Sequence, residues 1–406
     1  MRLAVDLYGT TIGHLSGDPR TFDFTATPEA IHRFGVNSRV LSAAIPLTTT
    51  PMRAHAPRRR NFFAELLPEG DQLDYMLASA GLRRGDTLAF LARYGRDIAG
   101  ALQIWNPDDP REPPTPTATP VSNNEIRHLL TERQTYPLGN SPPLGRTSLA
   151  GVQPKIVLAR VEDVWCRVAG GHPSTHILKP RLEQYPTVVY DEEYGARIVR
   201  RLGLAAHSTT IIDFDGLPAL VIERFDRDPN APGGRLHQED FSQAFGAGGV
   251  QKYQAYGGVA TLKRAADTLR AVGASGDLPA LGQLVVLASA LGNLDMHAKN
   301  LGLIHHPDGS TRLAPGYDFV PQTHLPDIDL AFALAVNKRY GYREVTGADL
   351  VRELESWRLP EAHALVTDTL DATLTVARNE SPVAGAWDGL QATVVQHTEA
   401  LLADLA

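Results

Sequence analysis

The chain has 406 residues, of which 43% are apolar and 21% charged, and its formal net charge is −7. Such a length holds two or three domains around a large core, and the apolar share excludes a wholly disordered chain. The balance of 46 Asp and Glu against 39 Lys and Arg excludes wrapping of nucleic acid through overall charge. The single cysteine, Cys166, excludes an internal disulfide framework and a cysteine-built zinc site, and it fits a reducing compartment.

Leu3, Val5 and Leu7 alternate with Arg2, Ala4 and Asp6, which predicts a strand over 3–8. Asp6 also breaks the apolar run that a signal peptide needs. A second strand is expected over 21–25, after the turn-forming Gly17-Asp18-Pro19. Asp71 begins a helical pattern carried by Leu73, Met76 and Leu77, and Asp86 caps another that ends near Gly95. Residues 98–105 read as a closing strand. The fifteen residues 106–120 hold six prolines, the composition of a semi-rigid extended linker.

Beyond the linker the patterns predict a helix over 124–134, a loop over 142–151, and strands over 155–158, 164–168 and 176–179. A helix over 191–202 stops at Gly203, and 211–214 with 219–224 form a hairpin around Asp215-Gly216. From Gln238 the pattern is mainly helical, with one hairpin near His305-His306-Pro307-Asp308-Gly309 and a capping box from Thr346 to Asp349. The uncharged stretch 278–294 contains Pro279, Gly282 and Gln283, so it reads as a buried helix and not as a membrane span. The expectation is a cytoplasmic protein without membrane contact. It is an α+β chain with an N-terminal α/β subdomain (1–107), a linker (108–120), a strand-rich lobe (121–224) and a mainly helical lobe (225–406). Those last two are the outline of a two-lobed, protein-kinase-like fold.

Asp295 and Asn300 stand in D-x-x-x-x-N spacing just after the apolar helix. Phosphoryl transfer needs a carboxylate to orient the acceptor hydroxyl and an amide oxygen to hold Mg²⁺. The hairpin that follows leads to Tyr317-Asp318-Phe319, where Asp318 takes the place of a second metal ligand. Lys179 closes a strand and can reach the phosphates of ATP, with Glu193 on the next helix to anchor it. Residues 148–155 lie between a Pro-rich loop and a strand, where Gly145 and Gly151 permit close backbone approach to phosphate. Taken singly, Asp295 also reads as a helix cap and Asp318 as the start of a turn; their joint order favours the site.

The ordered strings Ser148-Leu-Ala-Gly-Val-Gln-Pro-Lys155, Thr175-His-Ile-Leu-Lys179, Glu192-Glu-Tyr194 and Glu223-Arg-Phe-Asp-Arg227 are followed by Arg235-Leu-His-Gln-Glu-Asp240. Lys252-Tyr253 with Gly257-Gly258, Asp295 to Asn300, and Tyr317-Asp318 come after them. Together they resemble the HipA family of serine/threonine kinases, the toxins of bacterial toxin–antitoxin pairs. The first 105 residues resemble that family's N-terminal subdomain through Ile45-Pro-Leu47, Asn61-Phe-Phe63, Leu66-Leu-Pro-Glu69, Gly95-Arg-Asp97 and Gly100-Ala101.

The resemblance implies that Asp295 is the catalytic base, Asn300 and Asp318 the magnesium ligands, and Lys179 the phosphate-contacting lysine. It also implies that Glu223, Arg224 and Phe225 form the hinge beside adenine. Ala150, Gly151, Val152, Gln153, Pro154 and Lys155 would cover the phosphates, and His297, Lys299, Asn300, Tyr317 and Asp318 would complete the nucleotide site. Ser148 matches the serine that members autophosphorylate, which ejects the loop and inactivates the kinase. Pro154 stands where one member of the family has an acidic residue, while Gln153 and Lys155 are kept.

Further implications are ATP and Mg²⁺ as cofactors, a small helix-turn-helix antitoxin like HipB as partner, operator DNA reached through that partner, and an aminoacyl-tRNA synthetase as protein substrate. Two other readings share parts of the pattern: a small-molecule phosphotransferase of the aminoglycoside type, and a non-catalytic co-repressor bound to an antitoxin. The first 105 residues and the Ser148 loop speak against the former, and the complete catalytic set against the latter. The basic run Arg53 to Arg60 reads as a solvated loop, or as a contact for phosphates or an acidic partner. His305-His306 has no further ligand at metal spacing.

Overall fold

The computed structural model describes residues 1–112, 114–132, 138, 153–254, 257–326 and 328–405. At its N-terminus β1 (Arg2–Leu7), β2 (Thr10–Ser16) and β3 (Asp23–Ala26) form an antiparallel meander, extended on the far side of β1 by β4 (Gln103–Trp105). Leu3, Val5, Leu7, Leu15, Phe24 and Ile104 bury one face of it, as alternation predicts for β1. β2 is not legible in the sequence because Gly13 interrupts it. A Cβ there would lie 2.3 Å from the Phe24 ring, so the glycine is what lets that ring cross the sheet.

Helices α1 (Pro28–Phe34), α2 (Ala56–Ala64) and α4 (Thr87–Tyr94) pack on this sheet, while α3 (Gly70–Ala80) packs through Met76 and Leu77 on Phe90 and Tyr94 of α4. Asp86 caps α4 by accepting from the Ala89 amide at 2.9 Å, as expected. α3 begins just ahead of Asp71, with Glu69 in the cap position but making no cap bond. The basic run is part of a helix and not a loop. Arg59 turns inward to grip Asp23 at 2.5 and 2.8 Å, while Arg53 and Arg58 stay exposed.

The expected strand over 98–105 shrinks to its last three residues. The reason is tertiary: residues 97–100 leave the sheet to bond with the rest of the chain. Asp97 takes Arg227 at 2.9 Å and Arg235 at 3.4 Å. The Ile98 carbonyl accepts from Arg224 at 2.9 Å, and the Gly100 amide donates to Asp226 at 2.7 Å. Asp97, Arg224, Asp226 and Arg235 are buried, and only 5% of the Arg227 side chain is exposed. Burial opposes ionisation of Asp97, but Arg227, Arg224 and Arg235 overcome it and hold the carboxyl below the usual range. A second buried seam joins Ser42 and the Ala43 amide to Glu239, which also takes His305 Nε2 at 2.8 Å. His305 is thus a strand residue paired with a carboxylate. Among the described residues no group of three or more His, Cys, Asp or Glu is placed to hold a metal.

The Pro-rich connector is less independent than its composition suggests. Glu112 forms a buried ion pair with Arg96, and β5 (Thr117–Pro120) pairs with β7 (Val164–Ala169) along its whole length. It joins a six-stranded sheet that also contains β6 (Ile156–Val161), β8 (His176–Pro180), β9 (Thr209–Phe214) and β10 (Leu217–Glu223), in the order β5-β7-β6-β8-β10-β9. Proline is tolerated in β5 because that strand is an edge. α5 (Asn123–Thr131) closes one face through Ile126, Leu129 and Leu130, and α6 (Val188–Arg201) packs on β9 and β10.

The second lobe opens with β11 (His237–Asp240), α7 (Phe241–Ala244), α8 (Leu262–Ala271) and α9 (Leu278–Leu291). α9 is buried almost all round, which is why it reads as uniformly apolar; α10 (Gly347–Ser356), α11 (Ala362–Asn379) and α12 (Leu390–Ala403) follow, and the last two pack on α9. β12 (Gly302–His305) and β13 (Thr311–Leu313) form the expected hairpin, joined by β11, and β14 (Ala331–Val336) with β15 (Arg339–Gly341) adds an unexpected one. Between α11 and α12, residues 380–389 cross back over α6. Glu380 binds Arg197 and Arg201, and the Trp387 amide donates to Asp191 at 3.0 Å. The Trp387 ring stacks on His324, whose Nε2 lies 3.1 Å from the same Asp191. Among the described residues no helix is long and apolar enough to cross a membrane.

Candidate active site

Lys179 is the last charged residue of β8, and its buried Nζ lies 2.7 Å from Glu192 Oε1 and 2.7 Å from Asp318 Oδ1. The anchoring glutamate is therefore Glu192, and the expectation of Glu193 is corrected. Successive helical residues point about 100° apart, and Glu193 turns instead to Arg197 at 3.1 Å. The phase is set by Gly195 and Val199, which share a face of α6 with Glu192. A Cβ at Gly195 would lie 2.1 Å from the Phe319 carbonyl oxygen, and Val199 touches the Gly316 site. A lone glycine inside a helix was the sequence signal for this face. Gly195→Ala is expected to force α6 off the Asp318 segment at a cost of about 1–3 kcal/mol, read from the denaturant midpoint; a wild-type midpoint would mean that the segment yields freely.

Asp318 adopts a left-handed backbone, φ 58°, a conformation that costs a non-glycine residue energy and tends to be kept at functional positions. Burial opposes its ionisation, yet Lys179 prevails and holds the carboxyl down to about 2. Glu192 sits deeper; burial pushes it up to about 7, and its Oε2 has no hydrogen-bond partner among the described residues. Lys155 lies in the same field. Burial, with Lys179 beside it, brings its ammonium down to about 8.

Asp295 follows α9 in a loop that folds back on itself. The His297 amide donates to the Asp295 carbonyl at 2.8 Å, and Asn300 Nδ2 donates to that carbonyl at 2.8 Å. About half of the Asp295 side chain meets solvent. Burial of the carboxyl and the charge of Asp318 push it up to about 7. His297 is brought down to about 4 by burial and by Lys252, so it is neutral, and its ring meets Tyr253 edge-on at 5.1 Å.

At the expected hinge, the Glu223 carboxylate is bound by Ser208 through its amide (3.2 Å) and hydroxyl (3.0 Å). The Arg224 side chain points away, into the buried cluster with Asp226 at 2.7 Å, so only its backbone remains for a nucleotide. Phe225 stacks on Tyr317 at 5.2 Å, which ties the hinge to the segment holding Asp318. The Tyr317 hydroxyl donates to the Lys299 carbonyl at 2.8 Å.

The Lys299 side chain corrects another expectation. Its ammonium faces Glu65 at 2.7 Å and Glu69 at 3.2 Å, both from the N-terminal domain, and not the phosphate side of the loop. Sequence reasoning named Glu192, Glu69 and Lys252 only within motifs, without a place in this region, and passed over Glu65. Gln153, Pro154 and Lys155 are described, whereas Ser148, Ala150, Gly151 and Val152 lie outside the described residues.

The donor set suits Mg²⁺: Asp318 is a carboxylate kept ionised, and Asn300 spends its amide nitrogen on Asp295 and keeps an oxygen for another partner. Two oxygen ligands are too few to retain the ion alone, so such a site fills only together with phosphate oxygens. When bound, magnesium neutralises charge that develops on a transferring phosphoryl group.

The chain matches two family domains: the HipA N-terminal domain over residues 3–105 and the HipA-like C-terminal domain over residues 147–378. It is 32% identical to the protein Y4mE of Sinorhizobium fredii, over 83% of this chain and 82% of that one. It is 29% identical to the serine/threonine-protein kinase toxin HipA of Shewanella oneidensis, over 89% of this chain and 84% of the relative. The solved complex of HipA, HipB and operator DNA from Shewanella oneidensis contains a chain that superposes with a TM-score of 0.78 at 26% identity, covering 99% of this chain and 96% of that one. With both domains matched in order and Lys179, Glu192 and Asp318 joined in one ion-paired cluster, the chain belongs to the HipA family of serine/threonine kinases.

Proposed function

We propose that this kinase uses ATP and Mg²⁺, is the toxin of a toxin–antitoxin pair, and works in the cytoplasm. Convergence of Lys179, Glu192, Asp295, Asn300 and Asp318 supports the chemistry. In this reading Lys179, steadied by Glu192, contacts the phosphates, and Asp295 orients an acceptor serine or threonine hydroxyl and takes its proton. Asn300 and Asp318 are the metal ligands, residues 150–155 cover the phosphates, and the backbone at 223–225 meets adenine. The functional units are residues 1–107, the 108–120 connector, the 121–224 nucleotide lobe and the 225–406 catalytic lobe. A small DNA-binding antitoxin of the HipB kind is the expected partner, and operator DNA is met through it. The resemblance to a chain solved with HipB and operator DNA supports this. A translation protein such as an aminoacyl-tRNA synthetase is the substrate class we favour, and Ser148 the site of autophosphorylation. Incubating the purified chain with γ-labelled ATP is expected to place label on Ser148 and to lose it in Ser148→Ala. Absence of both nucleotide binding and label, with or without candidate acceptors, overturns the reading.

A further inference from the structure

We propose that Glu65 and Glu69, on the N-terminal domain, are positioning residues for the catalytic loop. They hold Lys299, and through it the turn between Asp295 and Asn300, in the geometry that phosphoryl transfer needs. The inference rests on the kinase reading above and adds to it a role for the N-terminal domain.

The geometry is closed on every side. Lys299 Nζ lies 2.7 Å from Glu65 Oε2, 3.3 Å from the Glu65 carbonyl, 3.2 Å from Glu69 Oε1 and 4.0 Å from Asp240 Oδ2. Glu69 Oε2 binds Lys252 Nζ at 2.7 Å, and Glu65 Oε1 accepts from the Gly249 amide at 2.9 Å. The Lys299 and Lys252 side chains are almost fully buried, at 6% and 8% exposure. A buried ammonium persists only where carboxylates match it. Burial and Glu65 push Asp240 up to about 7 despite Lys299, whereas Lys299 and Lys252 hold Glu69 down to about 2 against its own burial. The dependable negative charge near Lys299 therefore comes from the N-terminal domain.

The position of Lys299 in the chain transmits this grip. Its amide donates to His297 Nδ1 at 3.3 Å, its carbonyl accepts from Tyr317, and it directly precedes Asn300, whose side chain holds the Asp295 carbonyl. Moving Lys299 thus moves both the base and a metal ligand. Glu69 does a second service, because it engages Lys252, whose charge lies within reach of Asp295. Released from Glu69, that ammonium is drawn toward the catalytic carboxylate and competes with the acceptor hydroxyl. Misplacement of reacting groups by about 1 Å costs about 100-fold in rate.

Glu65→Gln, Glu69→Gln, the double variant and Glu69→Asp test this in the full chain. Two readouts are used: steady-state transfer from ATP to a serine acceptor, and hydrogen exchange of the 295–300 amides without nucleotide. The expected result for the double variant is a kcat lower by about 10–100-fold with an unchanged KM for ATP, faster exchange confined to 295–300, and partial recovery of both in Glu69→Asp. Wild-type kcat and exchange, or a raised KM with unchanged kcat, overturns the proposal. A wild type that transfers no phosphoryl group sinks the kinase reading instead. The exchange arm then decides the proposal alone, faster 295–300 exchange supporting it and unchanged exchange overturning it.

Discussion

Asp295→Asn is expected to lower phosphoryl transfer by about 10²–10⁴-fold, the usual worth of a positioned general base, without loss of nucleotide affinity. Asparagine keeps the size of the side chain and leaves untouched the backbone carbonyl that receives the Asn300 amide, so the metal ligands stay where they are. What disappears is the only group in the loop able to accept a hydroxyl proton, since His297 is already committed to the Lys299 amide. Single-turnover transfer measured beside a calorimetric titration with Mg²⁺ and a non-hydrolysable ATP analogue separates the two effects. Equal transfer rates in wild type and variant would remove Asp295 from the chemistry. Weakened nucleotide binding would mean that its charge serves the ligand and not the acceptor.

The largest expected loss of stability comes far from any substrate. Asp97→Ala strips Arg227 and Arg235 of a shared carboxylate in a site where Asp97, Arg224, Asp226 and Arg235 are each no more than 3% exposed. Breaking one partner of a buried ion network costs about 3–5 kcal/mol, well beyond a surface pair. Urea unfolding should show it as a lowered midpoint; a change under about 1 kcal/mol would place Asp97 among exposed pairs. The same residue sets a pH dependence. The folded chain holds Asp97 below its ordinary range, so its contribution is complete above the unfolded value near 4 and is lost as pH falls through the lower, folded value. Wild type should therefore lose stability on acidification below about pH 4, and Asp97→Ala should lose less of it.

Much of the site was readable because its chemistry lies in short, local spacings. Asp295 and Asn300 occupy one loop, Asp318 follows one hairpin, and Lys179 is the penultimate residue of a strand that closes on Pro180. The capping box at Thr346 and the cap at Asp86 are equally local. What escaped was tertiary. Choosing Glu192 over Glu193 required the phase of α6, which Gly195 fixes only once Phe319 is seen against it. The target of Lys299 lies more than 200 positions away in the chain. Arg224 was expected beside the nucleotide and Arg235 stood only within a motif, yet both side chains are core residues. Six prolines suggested a semi-rigid extended linker, yet the pairing of β5 depends on a sheet edge that composition does not reveal.

The crossing of residues 380–389 over α6 bears on the order in which the kinase comes into being. Synthesis runs from the N-terminus, and domains fold as they emerge. Lys179 and Glu192 are made early, but Asp191, the immediate neighbour of Glu192, receives the Trp387 amide only after 196 further residues have been added. The helix that carries Glu192 is thus secured late, so a truncated or nascent chain can hold Lys179, Glu192, Asp295, Asn300 and Asp318 and still lack the brace that sets them.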